Sequence, residues 1–332
     1  MGRRSAADRA EPACRLVRFE AAAWERGRLA RSFRQDPAGH QSGRDAHVPR
    51  DPASAVALAG LLYEPRRASK RAIIWLHGNG GGSILESRRT NLLASVFIAK
   101  GIAFFPFNNR GSGIVRRAGE DFGGSAFERI RDCVADIDAA IRELWRRGYR
   151  DITLAGHSTG ANKIAVYDHY KPRNRARRYI LLAGGDDTGL LYAQVGARRF
   201  HALLAKSKLM LKVRRGGELA PPIAGQSMLS WRALYDVANP EGDYNVFPFF
   251  EAMTGTKLSR RPRFRYIRAI RKPSLYIYGD RDQYCFDDVP RCVSILAQHV
   301  SDRAEIVVMH DADHGFSGRE EELGGLIANW IA

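Results

Sequence analysis

The sequence predicts an α/β fold in which a mostly parallel central sheet is covered by helices on both faces. Two observations lead to this class. Short apolar segments alternate with helix-forming ones from residue 55 to the end of the chain, and glycine or polar residues follow the apolar segments, as in repeated βαβ units. Ligands of such sheets lie at the carboxyl ends of the strands, so the residues that follow each strand are the candidates for function.

Each element has its own signal. Short apolar runs, bounded by glycine, proline or charged residues, predict strands over 56–63, 71–76, 102–107, 151–155, 179–183, 274–278 and 306–309. Helix-forming stretches between them predict helices that end near residue 100, span 127–147, 159–170 and 289–300, and close the chain. The 127–147 helix has the clearest pattern, because its apolar residues recur three and four positions apart and Gly148 follows it.

Two segments depart from this alternation. Residues 1–51 lack a sustained hydrophobic period, so we expect a disordered N-terminal extension outside the folded domain, which covers residues 52–332. Residues 185–272 mix helix-forming stretches with glycine and proline breakers and with aromatic residues. We expect this long irregular insertion to form a lid, which would exclude water from a site and set its specificity.

Composition limits the classes of function. The net charge is +17, but arginine is spread along the chain without a nucleic-acid-binding motif, so we expect no nucleic-acid partner. No apolar run reaches the roughly 18 residues of a membrane span, and the N-terminus lacks the apolar core of a signal peptide. The four cysteines lack metal-ligand spacing. We therefore expect a cytoplasmic protein without metal or organic cofactor, and the sequence leaves its oligomeric state open.

Residues 156–160 read GHSTG, a G-x-S-x-G pattern between a predicted strand and a predicted helix. This placement demands a tight turn that holds the serine in a strained backbone conformation and admits only small residues on either side. The turn lifts the serine hydroxyl clear of the sheet, and the amides at the start of the next helix point towards it. Ser158 is therefore our candidate nucleophile.

A serine nucleophile needs a base, and the base needs an acid that orients it. Strand 274–278 is followed by GDRD, and strand 306–309 is followed by HDADHG. We choose Asp282 as the acid and His314 as the base, because they follow the serine in the order acid, then histidine. The acids that stay open as alternatives are Asp280, Asp186 and Asp187. His310 directly ends its strand, and we expect it to be structural.

The negative charge that develops on a substrate carbonyl oxygen must be met by backbone donors that are already in place. We expect one donor to be the N–H of Thr159, the residue after the nucleophile. The second should come from the glycine-rich loop after strand 71–76, with Asn79 as the first candidate and Gly80 as the next. A phosphate-binding loop is the alternative, but the Lys-Ser/Thr pair of a P-loop is absent.

These motifs resemble those of the α/β-hydrolase superfamily over residues 52–332. More narrowly, five segments are similar to an uncharacterised α/β-hydrolase family that includes fungal intracellular siderophore esterases: LAGLLYEP, FNNRGSG, GHSTGANKIAVYDHYKP, LLAGGDD and YGDRDQY. The resemblance implies an α/β-hydrolase fold with a lid insertion, and a serine hydrolase whose triad is Ser158, Asp282 and His314. It does not transfer a siderophore substrate.

The expected activity is the hydrolysis of a small-molecule carboxylic ester or thioester through an acyl-enzyme. Two alternatives stay open: acyl transfer to an acceptor other than water by the same triad, and a non-catalytic binding protein on a hydrolase scaffold. A cluster of basic residues in the lid indicates either an anionic substrate or a solvated helix face. The cluster consists of Arg198, Arg199, Lys206, Lys208, Lys212, Arg214 and Arg215.

Overall fold

The fold is described from a computed structural model of the chain, in which residues 13–22, 56–81, 88–118, 121–223 and 225–332 are described. The strands are β1 (Ala13–Ala21), β2 (Val56–Glu64), β3 (Arg71–Leu76), β4 (Ala103–Asn108), β5 (Arg116–Ala118), β6 (Asp121–Gly123), β7 (Asp151–His157), β8 (Arg178–Leu182), β9 (Ser274–Arg281) and β10 (Ala304–Asp313). Strands β5 and β6 form a separate small antiparallel pair.

The other eight strands form one sheet in the order β1-β2-β4-β3-β7-β8-β9-β10. Strand β2 is antiparallel to both of its neighbours. All other neighbours, from β4 through to β10, are parallel. The mostly parallel sheet predicted from the sequence is therefore confirmed, and the carboxyl ends of β3, β7, β8, β9 and β10 meet at one edge.

Ten helices surround the sheet in the described residues. They are α1 (Arg88–Ala99), α2 (Cys133–Arg146), α3 (Thr159–Tyr170), α4 (Asp187–Val195), α5 (Ala197–Lys212), α6 (Trp231–Ala238), α7 (Phe249–Thr254), α8 (Arg265–Ala269), α9 (Val289–Ala297) and α10 (Glu320–Ile331). Helices α1 and α10 bury apolar residues against one face of the sheet, and α2 and α3 bury theirs against the other. Apolar strands with helices on both faces are what the uniform apolar runs predict.

Strand β1 corrects the expectation of disorder for residues 1–51. It pairs with β2 along its whole length and buries Val17 and Ala21. The signal was the alternation of apolar and charged residues in ACRLVRFEA. The rest of that predicted extension, residues 1–12 and 23–51, lies outside the described residues.

Two further elements differ from the sequence prediction. Helix α2 begins at Cys133 rather than at residue 127, after a 3-10 turn over Ile130–Asp132. The N–H of Ile130 donates to the Asp236 carboxylate at 2.7 Å, so a tertiary contact replaces the first helical turn. The insertion over 185–272 is largely helical, from α4 to α8. Apart from the 16-residue α5 its helices are short, and α4 is separated from α5 at Gly196, which has a φ of 77°.

Candidate active site

Ser158 lies between the end of β7 and the start of α3, in a backbone conformation that side chains rarely adopt. Its φ and ψ are 58° and −129°. A Cβ atom on Gly156 would overlap the carbonyl of Gly160, and a Cβ atom on Gly160 would overlap the carbonyl of Leu76. The two glycines of the motif are therefore required by close backbone contacts, and they hold the strained turn in place.

We expect Gly160→Ala to destabilise the protein by about 3 kcal/mol, because the new methyl group would displace the backbone of β3. The matched control is Gly325→Ala in α10, where an added Cβ atom meets no atom within 4 Å. This control should stabilise the protein by about 0.5–1 kcal/mol, as alanine is the better helix former. Urea unfolding of both variants measures the two effects, and equal stabilities would contradict the account of the turn.

His314 and Asp282 form a hydrogen-bonded pair at the same edge of the sheet. The Nδ1 atom of His314 lies 2.9 and 3.0 Å from the two carboxylate oxygens of Asp282. The Asp282 side chain is 1% exposed, whereas that of His314 is 13% exposed. Strands β9 and β10 run further than predicted, so both residues directly follow a strand end. The backbone N–H of Tyr284 also donates to Asp282, at 2.9 Å, and fixes the carboxylate.

The alternative acid Asp280 pairs with a different histidine. Its carboxylate lies 2.6 Å from Nδ1 of His310, and it accepts the N–H of Ala312 at 3.2 Å. The His310 side chain is 93% exposed. The described residues thus include two Asp–His pairs of the same chemistry, whose aspartates are two positions apart and whose histidines are four positions apart. The exposed pair is a natural control for the partly buried one.

Asp186 and Asp187, the other alternative acids, lie at the start of α4. Asp186 caps this helix by accepting the N–H of Gly189, and it also accepts the N–H of Phe250, both at 2.8 Å. Burial raises the pKa of Asp186 to about 7. Asp187 accepts from the amide of Asn162 at 3.2 Å and from the hydroxyl of Thr159 at 3.5 Å. Both carboxylates therefore serve backbone and side-chain donors other than the imidazole of His314.

Asp187 nevertheless lies within electrostatic reach of His314. Burial raises the pKa of Asp187 to about 6, while the charge of His314 and the hydrogen bond from Thr159 act in the opposite direction. At neutral pH the group is largely ionised, and it adds negative charge close to the first turn of α3. The sequence did not indicate that Asp187 lies close to His314, because Asp187 belongs to the irregular insertion.

A contact that the sequence did not indicate joins the Ser158 turn to the loop that carries His314. The Nε2 atom of His157 lies 2.6 Å from the carbonyl oxygen of His314, which assigns the proton to Nε2. Arg89 donates to Nδ1 of His157 at 3.3 Å and to the carbonyl of Gly315 at 2.9 Å. Burial lowers the pKa of His157 well below its usual value, and so does the Arg89 charge. A neutral His157 therefore holds the backbone of His314 through this hydrogen bond to its carbonyl oxygen.

The glycine-rich loop after β3 approaches Ser158 closely. A Cβ atom on Gly78 would lie only 2.9 Å from the Cβ of Ser158. The N–H of Gly81 donates to the carbonyl of Gly78 at 3.2 Å, and this turn has Asn79 and Gly80 at its centre. Within the described residues, the backbone N–H groups of Asn79, Gly80 and Thr159 donate to no protein acceptor.

Beneath this loop lies a buried ion pair. The Nζ atom of Lys163 is 2.7 Å from the Glu128 carboxylate, and the two side chains are 0% and 1% exposed. A Cβ atom on Gly111 would overlap Glu128, so only glycine leaves room for it. His77, at the start of the glycine-rich loop, is buried next to this pair. Burial and the charge of Lys163 lower its pKa to about 4.

Because His77 stays neutral in the folded protein, it should make the fold sensitive to acid. The pKa of His77 is about 4 in the folded protein and about 6.5 in the unfolded chain. Its contribution to the free energy of unfolding is therefore complete above pH 6.5 and is lost as the pH falls towards 4. Between pH 7.5 and pH 5 we expect the wild type to lose about 2 kcal/mol of unfolding free energy through this residue. Urea unfolding at both pH values measures the loss.

The variant for this prediction is His77→Asn, whose side-chain amide can replace the Nδ1 contact with the carbonyl of Gly78 at 2.9 Å. We expect His77→Asn to lose less stability on acidification than the wild type. His310→Asn, at an exposed histidine, should behave like the wild type. Equal acid sensitivity of His77→Asn and the wild type would contradict the prediction.

Further charged and thiol groups bear on the site and on the expectations from the sequence. The guanidinium of Arg110 donates through Nε and Nη2 to Oδ1 of Asp136, and its backbone N–H donates to Oδ2, so Arg110 braces the loop after β4. The four cysteines are free thiols. No group of three or more His, Cys, Asp or Glu in the described ranges could hold a metal ion. None of the described helices has both the length and the apolar character to cross a bilayer.

Comparison with known proteins gives a family and a set of related folds. Residues 73–323 match the model of the alpha/beta hydrolase family. Among solved structures, Est1E of Butyrivibrio proteoclasticus with bound ferulic acid is similar at a TM-score of 0.56 and 14% identity, over 83% of this chain and 94% of that one. No curated protein sequence matches the chain significantly.

Two further structures are similar at the same level. A monoacylglycerol lipase of Paleococcus ferrophilus has a TM-score of 0.54 and 16% identity, over 82% of this chain and 98% of that one. An esterase of Pyrococcus furiosus has a TM-score of 0.50 and 18% identity, over 83% of this chain and 86% of that one. At these identities the similarity concerns the fold.

Proposed function

Because this chain belongs to the alpha/beta hydrolase family, we propose that it is a serine hydrolase that cleaves carboxylic esters or thioesters of small molecules. One observation carries the proposal. Ser158 stands at a strained strand-to-helix turn, at the same sheet edge as the buried Asp282 carboxylate and its hydrogen-bonded partner His314. A hydroxyl, an orienting carboxylate and an imidazole, in this order along the chain, are the parts of a nucleophilic triad.

In the first half of the proposed reaction, Nε2 of His314 removes the proton from the Ser158 hydroxyl. The hydroxyl oxygen then attacks the carbonyl carbon of the ester, and the carbonyl electron pair moves to the oxygen. Backbone N–H groups of Asn79 and Thr159 receive this oxyanion, with Gly80 as a further donor, since none of them donates within the described protein. Collapse of the intermediate breaks the bond to the alkoxide or thiolate, which takes the proton from His314.

In the second half, His314 removes a proton from water, and the hydroxide attacks the acyl group on Ser158. The carboxylic acid leaves, and the proton returns to the serine oxygen. Asp282 accepts the Nδ1–H of His314 throughout, which holds Nε2 towards the serine and stabilises the charged imidazolium. His157 and Arg89 support the same loop through the carbonyls of His314 and Gly315.

The substrate class is argued from the similar structures and from the sequence segments. The similar structures include an esterase and a monoacylglycerol lipase, which favours small esters. The narrower resemblance to siderophore esterases rests on the sequence segments alone. Cytoplasmic location is a further proposal, supported by the four free thiols. An acyltransferase with the same triad, or a binding protein on the scaffold, is the alternative.

The test is the hydrolysis of p-nitrophenyl esters from acetyl to decanoyl, with His314→Ala beside its matched control His310→Ala. We expect the wild type and His310→Ala to release p-nitrophenolate and His314→Ala to be inactive. Adding a small alcohol separates hydrolysis from acyl transfer, because a transferase would form the new ester in preference to the acid. A folded wild type that cleaves none of the esters, or equal loss in both variants, would contradict the proposal.

A further inference from the structure

Helix α5 carries a surface that the proposed reaction does not use. The helix belongs to the insertion, and only Phe200, Ser207 and Met210 are buried along it. Its outer side includes two large apolar residues, Leu209 and Val213, each 49% exposed. We propose that this outer face of α5 docks the protein on an anionic lipid surface.

The arrangement of residues on α5 supports a lipid surface rather than a solvated face. Ala202, Ala205, Leu209 and Val213 are three or four positions apart, so they form one apolar strip along the exposed side. Lys206 lies on one border of this strip, and Arg199 shares that border at helical spacing. Lys212 and Lys208 lie on the other border. A central apolar strip with lysines on both borders is the pattern of a helix that lies in a membrane interface.

The charge of the segment has no counterpart within the described protein. The sequence contains no Asp or Glu between Asp187 and Glu218. The exposed cations of α5 form no ion pair with any residue in the described ranges; these are Arg198, Arg199, Lys206, Lys208 and Lys212. Beyond the helix, Arg215 pairs with Glu218. A complementary negative partner is therefore missing from the chain as described, and phospholipid headgroups would supply it.

The loop that follows α5 in the insertion borders the candidate active site. The side chain of Gln226 donates to that of Gln194, near the end of α4, at 2.7 Å. Its neighbour Ser227 approaches the glycine-rich loop after β3, and its hydroxyl would lie 3.6 Å from a Cβ atom placed on Gly80. The next residue, Met228, is 50% exposed. Docking through α5 would hold this end of the site near the membrane, where apolar esters partition.

The test is flotation of the full-length protein with vesicles of phosphatidylcholine alone or mixed with phosphatidylglycerol. We expect binding to the mixed vesicles and little to the neutral ones. The double variant Lys206→Glu/Lys212→Glu should bind the mixed vesicles at least about tenfold more weakly. Leu209→Ser/Val213→Ser keeps every charge and should still bind about fivefold more weakly, since apolar side chains insert.

Arg66→Glu/Arg67→Glu is the matched control. It makes the same charge change at exposed arginines in the loop before β3, at the opposite edge of the sheet from the site, and should bind within about twofold of the wild type. Ser158→Ala should also bind like the wild type, so the result is independent of catalysis. Equal loss in the control pair, equal binding to neutral vesicles, or preference for duplex DNA over mixed vesicles would overturn the proposal.

Discussion

We expect Ser158→Ala to lower kcat for ester hydrolysis by at least about 10⁴-fold, because the substitution removes the hydroxyl that forms the acyl-enzyme in the proposed reaction. The fold should be retained. Alanine fits the same backbone conformation, and the residue lies at a turn whose geometry depends on Gly156, Gly160 and the backbone of β3 rather than on the hydroxyl.

The measurement is the steady-state rate with the best p-nitrophenyl ester, together with a thermal melt. Ser95→Ala is the matched control. Among the described residues, its hydroxyl donates to the carbonyl of Leu92 on the exposed side of α1, and we expect its kcat to stay within about twofold of the wild type. Activity of Ser158→Ala within tenfold of the wild type would mean that another group performs the reaction.

We expect Asp282→Asn to lower kcat by about 10³–10⁴-fold, because the neutral amide no longer fixes the tautomer of His314 or stabilises its positive charge. Asp280→Asn should leave kcat within about threefold of the wild type. It changes the same residue type only two positions away, but its carboxylate binds the exposed His310. The contrast between the two variants is therefore sensitive to which pair carries out the chemistry.

Asp187, the alternative acid that follows β8 and begins α4, is tested by Asp187→Asn. This change keeps an acceptor for the hydroxyl of Thr159 and the amide of Asn162, and we expect an effect on kcat much smaller than that of Asp282→Asn. A larger loss of kcat in Asp187→Asn than in Asp282→Asn would mean that Asp187 is the acid of the triad. A larger loss in Asp280→Asn would transfer it to the exposed pair.

The sequence predicted the fold because its strands are short, apolar and followed by turn residues. Strand 71–76 and helix 159–170 agree with the structure residue by residue. The candidate acid and base could be chosen because parallel strands bring their carboxyl ends to one edge, so that positions after β9 and β10 had to be neighbours. This rule uses only chain order and strand direction, both of which a sequence reveals.

Other features depend on contacts between distant segments, which no local pattern encodes. Arg89 reaches both His157 and the loop of Gly315, and Lys163 meets Glu128 in the interior. A lysine on a helix is usually solvated, and only the packed structure identifies this one as buried. The start of α2 at Cys133 depends on Asp236, which comes from the insertion.

The central claim is that Ser158 is an activated nucleophile, and labelling with a fluorophosphonate probe tests it most directly. The wild type and Ser158→Ala would be treated in parallel, and intact mass and peptide mapping would locate the adduct. The account predicts one adduct per chain on Ser158 in the wild type and none in Ser158→Ala. A folded wild type that takes up no probe, or an adduct that persists in Ser158→Ala, would contradict it.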